Sequence, residues 1–194
     1  MEYGVRAIGL CWCLFGLIAC GGTVKKSFTN PAYPLSKVSS IAILPFDGVG
    51  EAGAASDLLA MVIANKEVFD YVVDRTQIQA VLAEHNLDAT LLDEKTLLQK
   101  GNFINADALL KGRVTRFVEG APHYPLATAT EISMSLKLVS TETGQIIWTQ
   151  LYSEKSGTRG LLAPSVDELL LEMAEEIAND LVKERQSSGG GSMP

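Results

Sequence analysis

The chain has 194 residues, with 16 basic and 23 acidic side chains and a formal net charge of −7. This acidic balance disfavours nucleic acid and anionic lipid as partners, because both repel a negatively charged protein. Only two histidines are present, so a histidine-based metal site is not expected.

The N-terminus has the parts of an export signal. Arg6 supplies the basic start, and an apolar run of 12 residues follows at 7–18. This run is too short for a transmembrane helix, which needs about 20 residues. The sequence LIAC at 17–20 resembles the lipobox of bacterial lipoproteins. We therefore expect cleavage between Ala19 and Cys20, acylation of Cys20, and a membrane contact made through the acyl chains.

The mature chain keeps a single cysteine. Removal of residues 1–19 from the 194-residue chain leaves 175 residues, enough for one domain with a real core. Cys11 and Cys13 leave with the signal, so Cys20 has no partner for a disulfide or a thiolate metal site within the chain. Gly21 implies outer-membrane localisation by analogy with lipoprotein sorting, in which Asp at this position resembles the inner-membrane retention signal.

Two polar segments flank the domain predicted at 37–185. Residues 20–36 show no apolar period and are rich in Gly, Ser, Thr, Asn and Pro, which predicts a lipidated flexible tether. With about 15 flexible residues, such a tether has an end-to-end distance of about 20–25 Å. Residues 186–194 (QSSGGGSMP) predict a disordered tail.

The first half of the domain alternates strands with helices. Apolar, β-branched runs at 38–46 and 68–73 predict two strands, and an apolar helix at 56–66 separates them. This order predicts a crossover unit with both strands in one sheet. A helix capped by Asp74 and a further helical piece at 91–100 follow.

The second half changes to a period of two. A strand at 108–118 is followed by strict apolar and polar alternation at 131–138, a turn at 141–144 and a returning strand at 145–152. A last helix opens with a capping box formed by Ser165 and Glu168. The sequence therefore predicts a single α/β domain with a mixed sheet of about five strands, a βαβ start, an antiparallel second half and packed helices.

A glycine motif offers the sharpest chemical hypothesis. Gly48, Gly50 and Gly53 fit G-x-G-x-x-G between a predicted strand and a helix, and Asp74 ends the next strand. Dinucleotide sites use such a turn for the pyrophosphate and such an acid for the ribose. The antiparallel second half and the capping role of Asp74 favour a plain turn instead. We therefore expect no cofactor and no small-molecule substrate.

Catalytic patterns are otherwise lacking in the sequence. There is no G-x-S-x-G elbow, and Ser56 is interpreted as a helix cap. His123 lies in a proline-rich loop with no carboxylate nearby in sequence, and Trp148 lies within a strand and is expected in the core. We predict that the protein is not an enzyme and has no catalytic or metal-binding residues.

Four segments together resemble a known lipoprotein family. IAILPF at 41–46 looks like the first strand of the CsgG-like lipoproteins of curli secretion, and VDRTQI at 73–78 resembles the signature that follows. NADALLKG at 105–112 resembles the start of the family's next strand, and GQIIW at 144–148 its hairpin return. The broader group includes a ring-forming lipoprotein of exopolysaccharide export, the lipoprotein activators of penicillin-binding proteins and the N-terminal domain of TolB. The resemblance implies a periplasmic α/β domain that works by contact.

The chain departs from the curli-type channel subunits in one respect. Those subunits insert two transmembrane β-hairpins, and a hairpin needs roughly 20 residues or more. The corresponding intervals here, 120–130 and 157–164, are too short to cross a bilayer. We therefore do not expect the protein to form a pore itself.

Two non-catalytic functions are the main hypotheses, both at the periplasmic face of the outer membrane. The first is a structural subunit, assembled as a ring or collar from copies of itself or with other proteins of an envelope or secretion complex. The alternative is a lipoprotein that activates a periplasmic enzyme such as a peptidoglycan synthase. A nucleotide-binding enzyme is the third and weakest hypothesis.

Replacement of the predicted lipid site tests the anchor. Cys20→Ser removes the sulfur that would be acylated, so the precursor should remain unlipidated. Mass spectrometry and detergent partitioning measure this directly. A Cys20→Ser protein that still partitions into detergent with its acyl chains would contradict the lipobox interpretation.

Overall fold

The computed structural model describes residues 22–73, 75–84, 105–120, 129–156 and 164–189. Strands, helices and one short 3-10 helix alternate along these ranges. In chain order they are β1 (Gly22–Thr29), the 3-10 helix (Leu35–Lys37), β2 (Ser40–Ile43), β3 (Asp47–Gly48), α1 (Ala52–Asn65), β4 (Tyr71–Val73), α2 (Arg75–Glu84), β5 (Ala108–Val118), β6 (Glu131–Ser140), β7 (Ile146–Lys155) and α3 (Val166–Gly189).

The strands form one mixed sheet in the order β1-β7-β6-β5-β2-β4, with β3 also paired to β5. β2 is parallel to β4 and to β5, and α1 lies between β2 and β4 in the chain, as the predicted βαβ start requires. β5, β6, β7 and β1 are antiparallel neighbours. The predicted α/β class is therefore confirmed, with seven strands in place of about five.

The first additional strand corrects the prediction of a flexible tether at 20–36. Residues 22–29 form β1, which pairs with β7 over its whole length, and Leu35 of the 3-10 helix is completely buried. A search for apolar periodicity misses β1 because seven of its eight residues are exposed. Its pairing with β7 relies on main-chain hydrogen bonds, which every residue except proline can donate.

The hydrophobic core lies between the inner face of the sheet and the helices α1 and α3. One row of side chains crosses the central strands in register, and each member is at most 2% exposed: Ile43, Leu110, Leu138 and Trp148. Leu59 and Ile63 of α1 and Ile177 of α3 belong to the same core. Trp148 is thus a core residue, as predicted.

α3 begins where the sequence predicts and ends later. Ser165 Oγ accepts the N–H of Glu168 at 3.2 Å, and Glu168 Oε2 accepts the N–H of Ser165 at 2.9 Å, so the capping box is confirmed. The helix continues to Gly189, which corrects the start of the tail predicted at 186–194. Ser188 accounts for the extension, because its Oγ accepts the N–H of Ser36 at 3.0 Å and ties the last turn to the 3-10 helix.

The outer face of the sheet is covered only in part. Ala42, Leu109 and Val139 are buried on this face of the central strands, and α2, which contacts β2, buries Ile78. Within the described ranges, no helix packs on the outer face of β6, β7 and β1. None of the described helices is long and apolar enough to cross a bilayer. The helix predicted at 91–100 lies outside the described residues.

Candidate functional site

The uncovered outer face of the antiparallel half is the candidate site, and we call it the open face. Its side chains form rows that cross four strands in register. The rows are Lys111, Lys137, Thr149 and Phe28; Arg113, Ser135, Leu151 and Lys26; Arg116, Ser133, Ser153 and Val24; and Val118, Glu131, Lys155 and Gly22.

A β-bulge at Thr115 sets the composition of this face. The β5–β6 register passes from Val114 directly to Arg116, so Thr115 is an extra residue in β5. Strict alternation would place Arg113 and Phe117 on the same face. The bulge instead places Arg116 beside Arg113 on the open face and turns Phe117 toward the inner side.

The open face is basic although the whole chain is acidic. It carries Lys26, Lys111, Arg113, Arg116, Lys137 and Lys155, and its acidic residues are Asp47 of β3 and Glu131 of β6. Both acids are paired: Arg113 with Asp47 at 2.9 Å, and Arg116 with Glu131 at 2.9 Å. The hydrogen bond from Arg113 to Asp47 raises the pKa of the guanidinium further. The four lysines make no ion pair with any other described residue.

Two of these lysines repel each other. Lys111 and Lys137 are direct partners in the β5–β6 register, and neither has an acidic partner within the described ranges. Like charges directly opposite each other destabilise a sheet. The sequence nevertheless places this pair at the centre of an exposed face, where it lowers the stability of the sheet. Destabilising arrangements of this kind are concentrated at functional sites.

Large apolar side chains lie among the cations. Val24 and Phe28 of β1 are each 55% exposed, and Leu151 of β7 is 43% exposed. A shallow groove crosses the middle of the face, with Lys111, Lys137 and Leu151 in its lining. Exposed apolar groups with positive charges between them are what an interface for an acidic protein surface requires.

A polar clasp attaches β1, the outermost strand of this face, to α3. Lys25, on the inner side of β1, forms ion pairs with Glu176 and with Asp180, and Thr29 Oγ1 donates to Glu184 at 3.0 Å. Tyr152 donates to Glu176 at 2.9 Å. The clasp therefore holds β1 in place through charged and hydrogen-bonding groups.

The ionisation of the clasp follows from these contacts. Burial disfavours the Lys25 cation, but its hydrogen bonds to Glu176 and Asp180 outweigh this effect and raise the pKa of Lys25. The hydrogen bond from Lys25 lowers the pKa of Glu176, and burial raises the pKa of Tyr152. Since Glu176 is more acidic when folded, its contribution to stability is present above its ordinary pKa and is lost as the pH falls through the lowered value.

The glycine motif serves packing between β3 and β5. Gly48 has φ +115°, and a Cβ there would overlap the main chain of Val114. Gly50 has φ +62°, and its Cα lies against the ring of Phe117. The ring of Phe117 therefore fills the space that a side chain at position 50 would need. Gly53 lies in the first turn of α1.

The other candidate residues from the sequence do not form a site within the described ranges. Ser56 is buried within α1 and donates to the carbonyl of Gly53 at 2.7 Å, so it is not the cap of that helix. No group of acidic, histidine or cysteine side chains in the described ranges could hold a metal ion. The predicted signal and lipid residues, Ala19 and Cys20, lie outside the described residues, as do Asp74 and His123.

Sequence reasoning missed the open face as a site. The alternation at 131–138 did place Ser133, Ser135 and Lys137 on the exposed side of β6. It gave no indication that Lys111, Lys26 and Arg113 lie in the same or adjacent rows, because those residues are distant in sequence. A count of basic residues at exposed strand positions would have been the available signal.

Comparison with known proteins identifies a family match. The family model of the peptidoglycan-synthase activator LpoB matches residues 54–153, which span α1 to β7. The match covers just over half of the chain and includes three of the four strands of the open face. No curated protein sequence matches the chain.

Solved structures share the fold at low sequence identity. The PelC dodecamer from Paraburkholderia phytofirmans has a TM-score of 0.57 at 12% identity, over 82% of this chain and 97% of that chain. Lipoprotein GNA1162 from Neisseria meningitidis has a TM-score of 0.52 at 18% identity, over 75% of this chain and 99% of that chain. These two likenesses establish the fold alone.

A glycine substitution tests the packing role of the turn. Gly48→Ala should lower the free energy of unfolding by about 1–3 kcal/mol, because the new Cβ meets main-chain atoms at a strained φ. Gly22→Ala is the matched control, since a Cβ there meets no atom within 4 Å. Urea unfolding of both variants measures the difference. An unchanged stability for Gly48→Ala, with heat released on nicotinamide dinucleotide titration of the wild type, would restore the cofactor hypothesis.

Proposed function

The chain belongs to the family of the peptidoglycan-synthase activator LpoB, and on this premise we propose that it activates a peptidoglycan synthase by direct contact. The family match supports the activator hypothesis over the ring or collar that we ranked first from the sequence. Membership also supports a non-catalytic protein, as the sequence predicted. The resemblance to the CsgG-like proteins stays a prediction, because the family model that matches is that of LpoB.

The open face is the proposed contact surface for the synthase. One observation supports this assignment above all. Lys111 and Lys137 lie side by side without an acidic partner among the described residues, on an exposed sheet face that also carries Leu151 and Phe28. β5 and β6 lie wholly within the matched range, and β7 lies within it as far as Ser153. An acidic, partly apolar patch on the synthase would relieve the repulsion between the two lysines and cover the apolar side chains.

The proposed location is the periplasmic face of the outer membrane, with the acyl chains of Cys20 as the anchor. The lipobox at 17–20 and Gly21 support this part of the proposal. The membrane is then a partner through the lipid, and the open face remains available to a protein. We propose neither a nucleic acid nor a small-molecule substrate as a partner.

A charge reversal on the open face separates binding from folding. Lys137→Glu should weaken binding to the periplasmic part of a peptidoglycan synthase about tenfold, or about 1.4 kcal/mol, and reduce its stimulation of glycan synthesis. The same change removes the repulsion with Lys111, so the free energy of unfolding should stay equal or rise by about 0.2–1 kcal/mol. Calorimetric titration and urea unfolding measure the two quantities.

Lys37→Glu in the 3-10 helix is the matched control for this experiment, because it makes the same change of charge at an exposed lysine on the helix side of the sheet, where the 3-10 helix packs against α3. It should bind the synthase as the wild type does. Equal binding by Lys137→Glu and Lys37→Glu would remove the open face from the proposal.

A ring remains the second candidate function. β1 and β4 end the sheet, and neither outer edge is paired within the described ranges. Unpaired edges can join copies of a chain side by side, and the PelC relative of the fold is a dodecamer.

The absolute mass in solution distinguishes the two candidates. Light scattering on residues 21–194, and on the full lipoprotein in detergent, should give a monomer in both forms if the protein acts as an activator. A large closed oligomer in either form would favour the ring.

A further inference from the structure

The pairing of β1 fixes where the membrane anchor leaves the domain. β1 begins at Gly22, only two residues after the predicted lipid site Cys20. Consecutive Cα atoms are 3.8 Å apart, so chain connectivity alone limits the Cα–Cα distance between Cys20 and Gly22 to about 7.6 Å. This distance leaves no room for a spacer between the acyl chains and the sheet.

Gly22 is itself held at one end of the sheet. It is the register partner of Lys155, the last residue of β7, and the same row continues to Glu131 and Val118. Thr23 Oγ1 donates to Glu154 at 2.7 Å, and the clasp at Lys25 lies only three residues from Gly22. We call the row of Gly22, Lys155, Glu131 and Val118 the membrane end of the sheet.

We propose that the membrane end faces the bilayer that holds the acyl chains of Cys20. The inference depends on the lipid anchor of the proposed function and replaces the flexible stand-off expected from the sequence. Lys155 is exposed and makes no ion pair with any described residue, so it is available to the phosphates of lipid headgroups. The partner of this surface is therefore a lipid surface.

This placement orients the whole domain. The strands of the antiparallel half run away from the membrane, and their opposite end carries the turn that contains Glu142. β7 has ten residues at about 3.3 Å each, so that turn stands roughly 30 Å above the membrane end. The open face is then turned sideways, within about 30 Å of the bilayer, which defines the height at which a synthase must present its acidic patch.

Energy transfer to labelled lipids tests the orientation. The lipidated mature chain is placed in vesicles that contain acceptor-labelled lipids, with a donor on Val118→Cys or, separately, on Glu142→Cys. Each new thiol is unique, because Cys20 is the only mature cysteine and its sulfur is acylated. We expect strong transfer from position 118 and weak transfer from position 142.

Two proline variants provide the matched controls. The N–H of Asn30 donates to the carbonyl of Ile147 in register with the β1–β7 ladder, so the N–H of Lys26 points into the ladder and that of Ser27 points away. Lys26→Pro should release β1 and abolish the difference between the two donor positions. Ser27→Pro should preserve the difference, because proline is tolerated where an edge N–H faces solvent.

The outcomes separate this inference from the proposed function. Equal transfer from positions 118 and 142 in a protein that floats with the vesicles would overturn the orientation and leave the anchor intact. Failure to float would overturn the anchor and the orientation together. Synthase binding by the soluble domain is measured without membranes, so its loss or retention bears only on the open face.

Discussion

The pairing of β5 on both of its edges is the constraint on which the rest of the structure depends. One edge is parallel to β2 and β3, and the other is antiparallel to β6, so β5 joins the crossover half and the hairpin half into one sheet. The bulge at Thr115 lies in this strand. Because of the bulge, Val114 and Phe117 lie on the inner side of the sheet, and Arg113 and Arg116 lie on the open face. One strand therefore contributes both to the core and to the candidate site.

The sheet separates the charges of an acidic protein. Acidic side chains of α3 lie on the inner side, where Glu176 and Asp180 bind Lys25, and basic side chains of four strands lie on the open face. The net charge of −7 for the whole chain therefore does not give the charge of either side of the sheet. The proposed activator role needs this separation, because a partner meets one face of the protein and not its total charge.

β1 connects the proposed anchor with the proposed contact surface. Its outer side chains, including Phe28, belong to the open face, and its inner side chains hold it to α3. A segment that looks like a spacer is therefore part of the domain. The height of the open face above the membrane then follows from the length of the strands, and flexible chain contributes little to it.

The features that depend on neighbouring residues could be predicted from the amino-acid sequence. The βαβ start, the alternation of β6 and the capping box of Ser165 and Glu168 were predictable because each is a local pattern. Three other features are visible only in the folded chain: residues 22–29 form a strand, Phe117 covers Gly50, and Lys111 faces Lys137. These features arise from pairing and register between segments distant in the chain, and a backbone hydrogen bond or a bulge leaves no periodic trace in the residues that make it.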